Sequence, residues 1–381
     1  MAPKKTADVL AEASAKSGLE GLRVLVRRQD DARAALGALP KARAAKFFEW
    51  LSGALDAATD ADDDADGYGG AAPDGGGADD LDAAARAAAG LALAALDDST
   101  GEAPELLNVA CALHERLFAL RDEAAQHAVA KLCEAWYLAN RPGAELLLTQ
   151  LVPFLLIRSL ESDAPEAVVK RVHAMRSALL LLDFEDASSA SLQALLLRCF
   201  ISPLYLRSAE GKRMLLFLFR LHPALVDDIA GTVKAQLAHA PPPVRRAYGE
   251  LYLRAWRDAA AGGTDEPFGT RAGGAGADPA GGAPRRARIE ESCVQELMRA
   301  TLFAADPKAC AAARDCLAPL LAAKSAPGVD AMLLRCYGPL LWRAAAAPHA
   351  GVRARCAARL AGALRAFRSR RRPPPLSRGR S

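Results

Sequence analysis

Apolar residues recur at helical spacing along almost the whole chain, and this pattern leaves little room for a β-sheet. Near residue 250, Val244, Tyr248, Leu251, Tyr252 and Ala255 lie at i, i+4, i+7, i+8 and i+11, the spacing of one buried helix face. We find no convincing run in which apolar and polar residues alternate as in a strand. Ala and Leu, the strongest helix formers, supply much of the 51% hydrophobic content, and aromatic residues only 6%. The sequence therefore predicts an all-α fold.

Short segments that contain proline separate the helical stretches. They are Arg141-Pro142-Gly143, Asp163-Ala164-Pro165, Leu221-His222-Pro223, Pro241-Pro242-Pro243, Asp306-Pro307 and Pro348-His349. Proline fits the first helical turn and disfavours helix in the residue before it, so each segment predicts one helix end and one helix start. Helices of about four turns with such short connections are typical of stacked antiparallel pairs, and hence of an α-solenoid.

One complete helix pair is visible in the stretch from Leu340, LLWRAAAAPHAGVRARCAARLAGAL. We expect Val352 to face the core at the start of its second helix, and Arg353 to reach back to the carbonyls or acids of the turn. The stretch PPPVRRAYGELYLRAW begins in the same way, with Val244 and Arg245. Both stretches resemble HEAT repeats.

Two low-complexity segments interrupt the helical pattern. Residues 56–83 contain ten Asp, and residues 259–288 consist largely of Gly, Ala, Pro and Arg. Neither segment can bury enough apolar surface to offset the entropy lost on ordering, so both are expected to be disordered loops. The predicted division is an N-terminal helical segment (1–55), an acidic linker (56–83), a HEAT-like array (84–258), a Gly/Ala-rich loop (259–288), C-terminal HEAT-like repeats (289–367) and a basic tail (368–381).

The basic charge of the chain is concentrated at its C-terminal end. The last 14 residues hold six arginines and no acid, so the net charge of +4 leaves −2 for the rest of the chain. Arg368, Arg370, Arg371 and Arg372 form a candidate nuclear-localisation signal or an arm for nucleic acid. The alternative is that this Pro/Arg/Ser run is translated non-coding sequence and that the repeat array is truncated here.

The eight cysteines and the N-terminus both favour a protein of the cytosol or nucleus. The cysteines are scattered through apolar helical segments without a CxxC pair, as is typical of buried reduced thiols. The N-terminus has no apolar stretch typical of a signal peptide. The most apolar run, residues 146–157, is too short to span a membrane.

The motifs that would indicate metal or nucleotide chemistry are incomplete. Residues 62–67 match the first half of a calcium loop, but Pro73 replaces its final Glu. Gly211-Lys212 lies next to Arg213 where a phosphate loop needs Ser or Thr, and a helix start near Ser208 explains these residues better. Cys111 and His114 share a helix face, but two further zinc ligands are missing nearby.

No nucleophile, paired-carboxylate or dinucleotide motif stands out in the sequence. We therefore predict a protein that is not an enzyme and that needs no cofactor. A helical enzyme whose site forms only in three dimensions is the least favoured alternative.

Basic clusters on the helices are the remaining candidates for a binding site. They are Arg353, Arg355, Arg359 and Arg365 on the last helix, Lys212 and Arg213, and Arg245 and Arg246. Ridges of this kind bind duplex DNA through phosphates, without reading its sequence. The alternative is an ordinary solvated helix face.

Six sequence blocks, in order, resemble the HEAT-repeat G subunit of condensin II, in its N-terminal part. They are KFFEWLSGAL (46–55), LCEAWYL (132–138), HAMRSALLLLDFED (173–186), the long block 195–237, ELYLRAWRDA (250–259) and AMLLRCYGPLLWRAA (331–345). The pairs Trp256-Arg257 and Trp342-Arg343 lie where the family leads us to expect them.

The resemblance implies a scaffold that binds the kleisin subunit and duplex DNA, in a nuclear complex that compacts mitotic chromosomes and whose SMC partners hydrolyse ATP. Three features depart from the family: the length of the two low-complexity loops, the basic tail from Arg368, and a chain much shorter than a full G subunit. A truncated fragment is therefore expected. The alternative function is a generic α-solenoid adaptor, for example in nuclear transport.

Overall fold

The structure, a computed structural model, describes residues 3–16, 18–66, 76–98, 103–181, 190–260, 282–323 and 326–370. Within these ranges every regular element is a helix. No helix in the described part is both long and apolar enough to cross a lipid bilayer. The chain divides into two compact units, residues 1–192 and 193–381.

The first unit contains nine helices in its described residues. They are α1 (Pro3–Ser14), α2 (Gly18–Arg27), α3 (Gln29–Gly37), α4 (Lys41–Asp66), α5 (Gly76–Asp98), α6 (Pro104–Glu115), α7 (Glu123–Leu138), α8 (Leu148–Leu160) and α9 (Glu166–Ala174). Short 3-10 segments, Ala144–Leu147 and Arg176–Leu181, precede α8 and follow α9. The boundary between the units lies in α10 (Ala190–Cys199).

The second unit continues with nine further helices. They are α11 (Pro203–Arg207), α12 (Ala209–Leu221), α13 (Pro223–Leu237), α14 (Pro242–Ala260), α15 (Gly282–Arg288), α16 (Glu296–Phe303), α17 (Pro307–Ala322), α18 (Val329–Ala345) and α19 (Ala350–Arg370). A π-helical segment, Ile289–Gln295, joins α15 to α16.

The helix starts follow the proline and capping signals in the sequence. Pro223 and Pro307 open α13 and α17 in the first helical turn, as the proline pattern predicts. The Ser208 hydroxyl accepts a hydrogen bond from the backbone N–H of Gly211 at 2.9 Å, which caps α12. The predicted helix start near Ser208 is confirmed, and Glu210 lies in its first turn, where the helix dipole favours an acid.

Helices of the first unit pack in two alternating layers. Helices α1, α3, α5 and α7 each contact the next member of that odd-numbered series, and α2, α4 and α6 do the same in the even-numbered series. Consecutive helices, such as α1 with α2 and α5 with α6, contact across the two layers. Stacked helix pairs produce this pattern, because each pair buries its apolar face against the next pair.

The core of the second unit is richer in aromatic side chains. The Phe200 ring meets Phe219 edge to face at 5.7 Å, and Phe219 meets Tyr252 in the same way at 6.0 Å. The hydroxyl of buried Tyr248 donates to the backbone carbonyl of Phe200 at 2.8 Å. On the predicted buried face of α14 only Val244 is half-exposed, because it lies in the first turn.

The all-α fold of HEAT-like helix pairs predicted from the sequence is confirmed. Helices extend into both segments expected to be loops: α4 continues to Asp66, α5 begins at Gly76, and α15 begins at Gly282. Alanine explains the extension, since helix propagates from a packed turn into Ala-rich sequence at little cost. Residues 67–75 and 261–281, the middles of those segments, lie outside the described residues, and so does most of the basic tail.

The predicted domain boundaries remain a prediction. The division between the two compact units at residue 192 lies inside the predicted array 84–258, and α19 continues past residue 367 to Arg370.

Candidate partner-binding surface

Arg245 holds the turn that precedes α14. Its guanidinium donates to the backbone carbonyls of Leu237, Ala238 and Ala240 at 2.8 to 3.2 Å. It also donates to the Asp315 carboxylate at 3.0 Å. Four partners around one largely buried guanidinium give Arg245 a structural role in addition to the DNA contact expected from the sequence.

Arg353 repeats the same arrangement before α19. Its guanidinium donates to the carbonyls of Ala347 and Pro348 at 2.8 and 2.6 Å, while Val352 beside it is buried. The predicted reach of Arg353 back to the carbonyls of the inter-helix turn is therefore confirmed. The two Val-Arg starts share a physical cause, since the carbonyls at a helix end lack partners inside the helix.

The other basic candidates lie on three helices. On α19, Arg355 donates to the carbonyl of Leu302 at 2.8 Å, and Arg359 is half-buried one turn further on. Lys212 on α12 is half-buried, whereas Arg213 on α12 and Arg246 on α14 are exposed. The side chains of Arg365, Arg368 and Arg370 in α19 are not described, and Arg371 and Arg372 lie outside the described residues. DNA binding by these residues remains a prediction.

Helix α18 exposes large apolar side chains that the sequence analysis did not single out as a site. Leu334 is 75% exposed and Trp342 is 80% exposed. Met332, Leu340 and Ala344 on the opposite side are buried. Positions 334 and 342 are eight residues apart and so lie on similar sides of a helix, but this spacing does not indicate whether that side is packed or exposed.

A polar cluster around Glu290 links α14, the π-helical segment and α18. The Glu290 carboxylate accepts from Nε1 of buried Trp256 at 2.8 Å and from the guanidinium of Arg335 at 2.7 to 3.1 Å. The Arg286 guanidinium lies 4.0 Å from the centre of the Trp256 ring, a cation–π contact, and 3.6 Å from the same carboxylate. The cluster stabilises the second unit.

A cavity of about 400 Å³ lies among α13, α14, the π-helical segment, α16 and α17. Alanine is the commonest residue in its wall, with Ala230, Ala300 and Ala312 from three of the helices. Four polar or charged residues also line it: Asp227, Lys234, Ser292 and Glu296. An ion pair between Lys234 and Glu296, at 3.4 Å, lies at its edge. The alanine part of the wall suits apolar side chains.

The cysteines resemble core residues rather than reactive thiols. All eight are free, and all except Cys111 are buried. Burial raises the pKa of Cys199 to about 12 and that of Cys336 to about 11, so both thiols stay protonated at neutral pH. In the described part of the chain, no group of three or more His, Cys, Asp and Glu side chains is arranged to hold a metal ion.

His114 joins α6 to α8. Its ring is 3% exposed, and Nε2 accepts a hydrogen bond from the backbone N–H of Gln150 at 3.1 Å. The ring is therefore neutral with the proton on Nδ1. Burial lowers the pKa of His114 below its ordinary value of 6.5.

We expect acid to destabilise the first unit through His114. Between its lowered folded pKa and about 6.5, the unfolded chain binds a proton that the folded chain does not bind. The free energy of unfolding should therefore fall as pH drops below about 6.5, by at most about 1.4 kcal/mol per pH unit for one histidine. The His127 pKa is also lowered, by burial and then by the charge of Arg171, and adds to the effect.

Urea denaturation at pH 7.5 and 5.5 tests this prediction. His114→Gln keeps an acceptor for the Gln150 N–H and should reduce the loss of stability on acidification. His239→Gln, on an exposed histidine, is the matched control. An equal loss in wild type and His114→Gln would show that His114 does not cause it.

The stacked helix pairs and the arginines that bind turn carbonyls define a helical-repeat protein. Residues 198–363 match the family described as Condensin II non structural maintenance of chromosomes subunit. The chain is 30% identical over 230 residues to Condensin-2 complex subunit G2 of Danio rerio, covering 60% of this chain and 18% of that protein. It is 29% identical over 256 residues to the Mus musculus protein of the same name, covering 66% and 20%.

The resemblance to the condensin II G subunit predicted from the sequence is confirmed by these matches. The chain spans about a fifth of the length of the curated relatives that it matches. No solved structure matches it.

Proposed function

We propose that this chain is a non-catalytic HEAT-repeat scaffold of condensin II, which binds the kleisin subunit and chromosomal DNA during mitotic chromosome condensation in the nucleus. The family match over residues 198–363 is the observation that carries the proposal. That region contains both Val-Arg helix starts and the exposed face of α18. In this proposal, the SMC partners hydrolyse ATP, and the chain associates with them through the complex.

Affinity purification of the tagged chain from mitotic nuclear extract tests the scaffold role. We expect mass spectrometry to recover the kleisin and the SMC ATPase pair. Recovery of nuclear-transport cargo or of Ran-type GTPases without SMC proteins would support the alternative, a generic α-solenoid adaptor. Recovery of neither set would contradict the proposed function for this chain.

Duplex DNA binding is expected to be weak, independent of sequence and strongly weakened by salt, since phosphate contacts release counterions. Arg213 and Arg246 are suitable positions for the test because both are exposed. The double variant Arg213→Glu/Arg246→Glu should weaken binding of a 30-base-pair duplex about tenfold or more in fluorescence anisotropy at 50 mM salt.

Arg27→Glu/Arg33→Glu, on two exposed arginines of the first unit, changes the net charge by the same amount and is the matched control for the DNA experiment. Binding that does not respond to salt would contradict the phosphate-contact proposal. An equal loss in the control would mean that only net charge matters.

A further inference from the structure

Helix α18 presents an unpartnered apolar face in the described part of the chain. Leu334 and Trp342 lie about two turns apart on it, with Gly338 between them. Trp342 is 80% exposed, whereas Trp136 and Trp256 are buried. Large apolar side chains that are grouped on one exposed face mark interaction sites more often than single ones do, and tryptophan is the residue most enriched where partners bind tightly.

The helix pair around this face is strongly basic. Residues 326–370, which contain α18 and α19, hold eight Arg, one Asp and neither Lys nor Glu, a formal charge of +7, of which Glu290 offsets one through its ion pair with Arg335. Arg353 and Arg355 donate to backbone carbonyls, which carry no net charge, so their positive charge remains uncompensated. Arg343 is exposed in the last turn of α18 and adds positive charge at this end of the helix.

We propose that the face of α18 formed by Leu334 and Trp342 docks an acidic amphipathic helix of a partner protein. The apolar side of such a helix would cover the two exposed side chains, and its carboxylates would pair with Arg343 in the last turn of α18. Duplex DNA fits this face less well, because its phosphate backbone offers no apolar surface to Leu334 and Trp342. The inference rests on the proposed scaffold function and adds to it the chemistry of one partner.

Binding of a designed probe to the full chain tests the inference. The probe is a fluorescein-labelled 21-residue peptide with Leu at i, i+3, i+4 and i+7 spacing and Glu at most other positions, measured by anisotropy at 50 and 300 mM salt. Two matched probes replace Glu by Lys or Leu by Ser. Only the acidic amphipathic probe should bind, and more weakly at high salt, because docking needs both the apolar and the charged contacts.

Substitutions on α18 should abolish most of this binding. Trp342→Ala combined with Leu334→Ser should weaken binding of the probe about 30-fold or more, the loss typical of a central aromatic anchor. Arg343→Glu should weaken binding of the probe less than this double variant does, and it should reduce the salt dependence of that binding. The controls are Leu138→Ser, at a leucine that is 60% exposed on α7, and Arg33→Glu, and both should bind as wild type does.

Iodide quenching of tryptophan fluorescence supplies a second readout. In the free chain, iodide should quench the emission of Trp342, and the bound probe should protect it. Trp342→Phe should remove this quenchable fraction and leave only the smaller contribution of half-buried Trp50. The unquenched emission of Trp136 and Trp256 reports that each variant remains folded, because both rings are buried.

Four outcomes would overturn the inference. The Trp342→Ala/Leu334→Ser variant could bind the probe as wild type does, or a 30-base-pair duplex rather than the probe could protect Trp342. Light scattering could show that the wild-type chain is a dimer and that this variant is a monomer. A second copy of the chain would then be the partner that covers the face of α18. Iodide could also fail to reach Trp342 in the free chain, which would mean that the face is already covered.

The affinity purification tests the scaffold function independently of the probe experiment. If the condensin subunits were recovered but the Trp342→Ala/Leu334→Ser variant bound the probe as wild type does, only the docking inference would be contradicted.

Discussion

Gly249→Ala is expected to destabilise the second unit by about 2 to 3 kcal/mol, although alanine is the better helix former. Gly249 lies in the middle of α14, where this helix packs against α17. A methyl group there would overlap the backbone carbonyl of Cys316 and touch the ring of Pro319. A carbonyl inside a helix cannot rotate away, so the two helices would have to separate.

The substitution at Gly249 is measured by urea denaturation, with hydrogen exchange to localise the loosened helices. In a unit of this size the midpoint of thermal unfolding should fall by about 5 to 10 °C. The matched control is Gly231→Ala in α13, where an added methyl group meets no atom within 4 Å. That change should be neutral or stabilise by up to about 1 kcal/mol, because glycine costs more conformational entropy in a helix.

The two glycine substitutions should therefore change stability differently: Gly249→Ala should lower the free energy of unfolding, whereas Gly231→Ala should leave it unchanged or raise it. Equal effects of Gly249→Ala and Gly231→Ala would contradict the close approach of α14 and α17.

Glu290→Ala is expected to destabilise the second unit by about 2 to 4 kcal/mol. Without the carboxylate, the buried Nε1 of Trp256 loses its acceptor and Arg286 loses its nearest acid. The ion pair with Arg335 adds little, because the Arg335 side chain is 57% exposed and water screens the pair. Most of the loss should therefore come from the buried Trp256 and the half-buried Arg286.

The control for this cluster is Glu291→Ala, at the next residue of the same π-helical segment. Glu291 is exposed, so its substitution should change stability by less than about 0.5 kcal/mol. Glu290→Gln keeps one acceptor for Trp256 and should fall between the two. Thermal unfolding followed by tryptophan emission measures all three, and equal stability of Glu290→Ala and Glu291→Ala would falsify the proposed role of the cluster.

Much of the local structure could be predicted from the sequence because its causes are local. Pro223 and Pro307 open helices at the predicted positions, and Ser208 caps α12. The reach of Arg353 to the turn carbonyls was also predictable, since those carbonyls lie within six residues of it. The end of α4 and the start of α5 could not be predicted, because an Asp- and Ala-rich stretch gives weak and conflicting signals for helix.

The candidate site was harder to predict because burial depends on the neighbours of a helix. Basic residues were the visible candidates, and the structure shows that Arg245 is largely occupied by three carbonyls and Asp315. Trp342 was conspicuous in the sequence, but an isolated amphipathic pattern cannot tell a packed face from an exposed one. Glu290 gave no signal, since its partners Trp256 and Arg335 are 34 and 45 residues away.

The sequence by itself determined the helical class, the helix starts marked by proline or a cap, and the family resemblance, because these follow from residue spacing, proline and ordered blocks along one chain. The tertiary structure decided which arginines hold turns, where Gly249 lets α14 approach α17, and that Leu334 and Trp342 face solvent. The physical reason is distance along the chain. Capping and periodicity act within a few residues, whereas close approach and exposure depend on helices that meet only after folding.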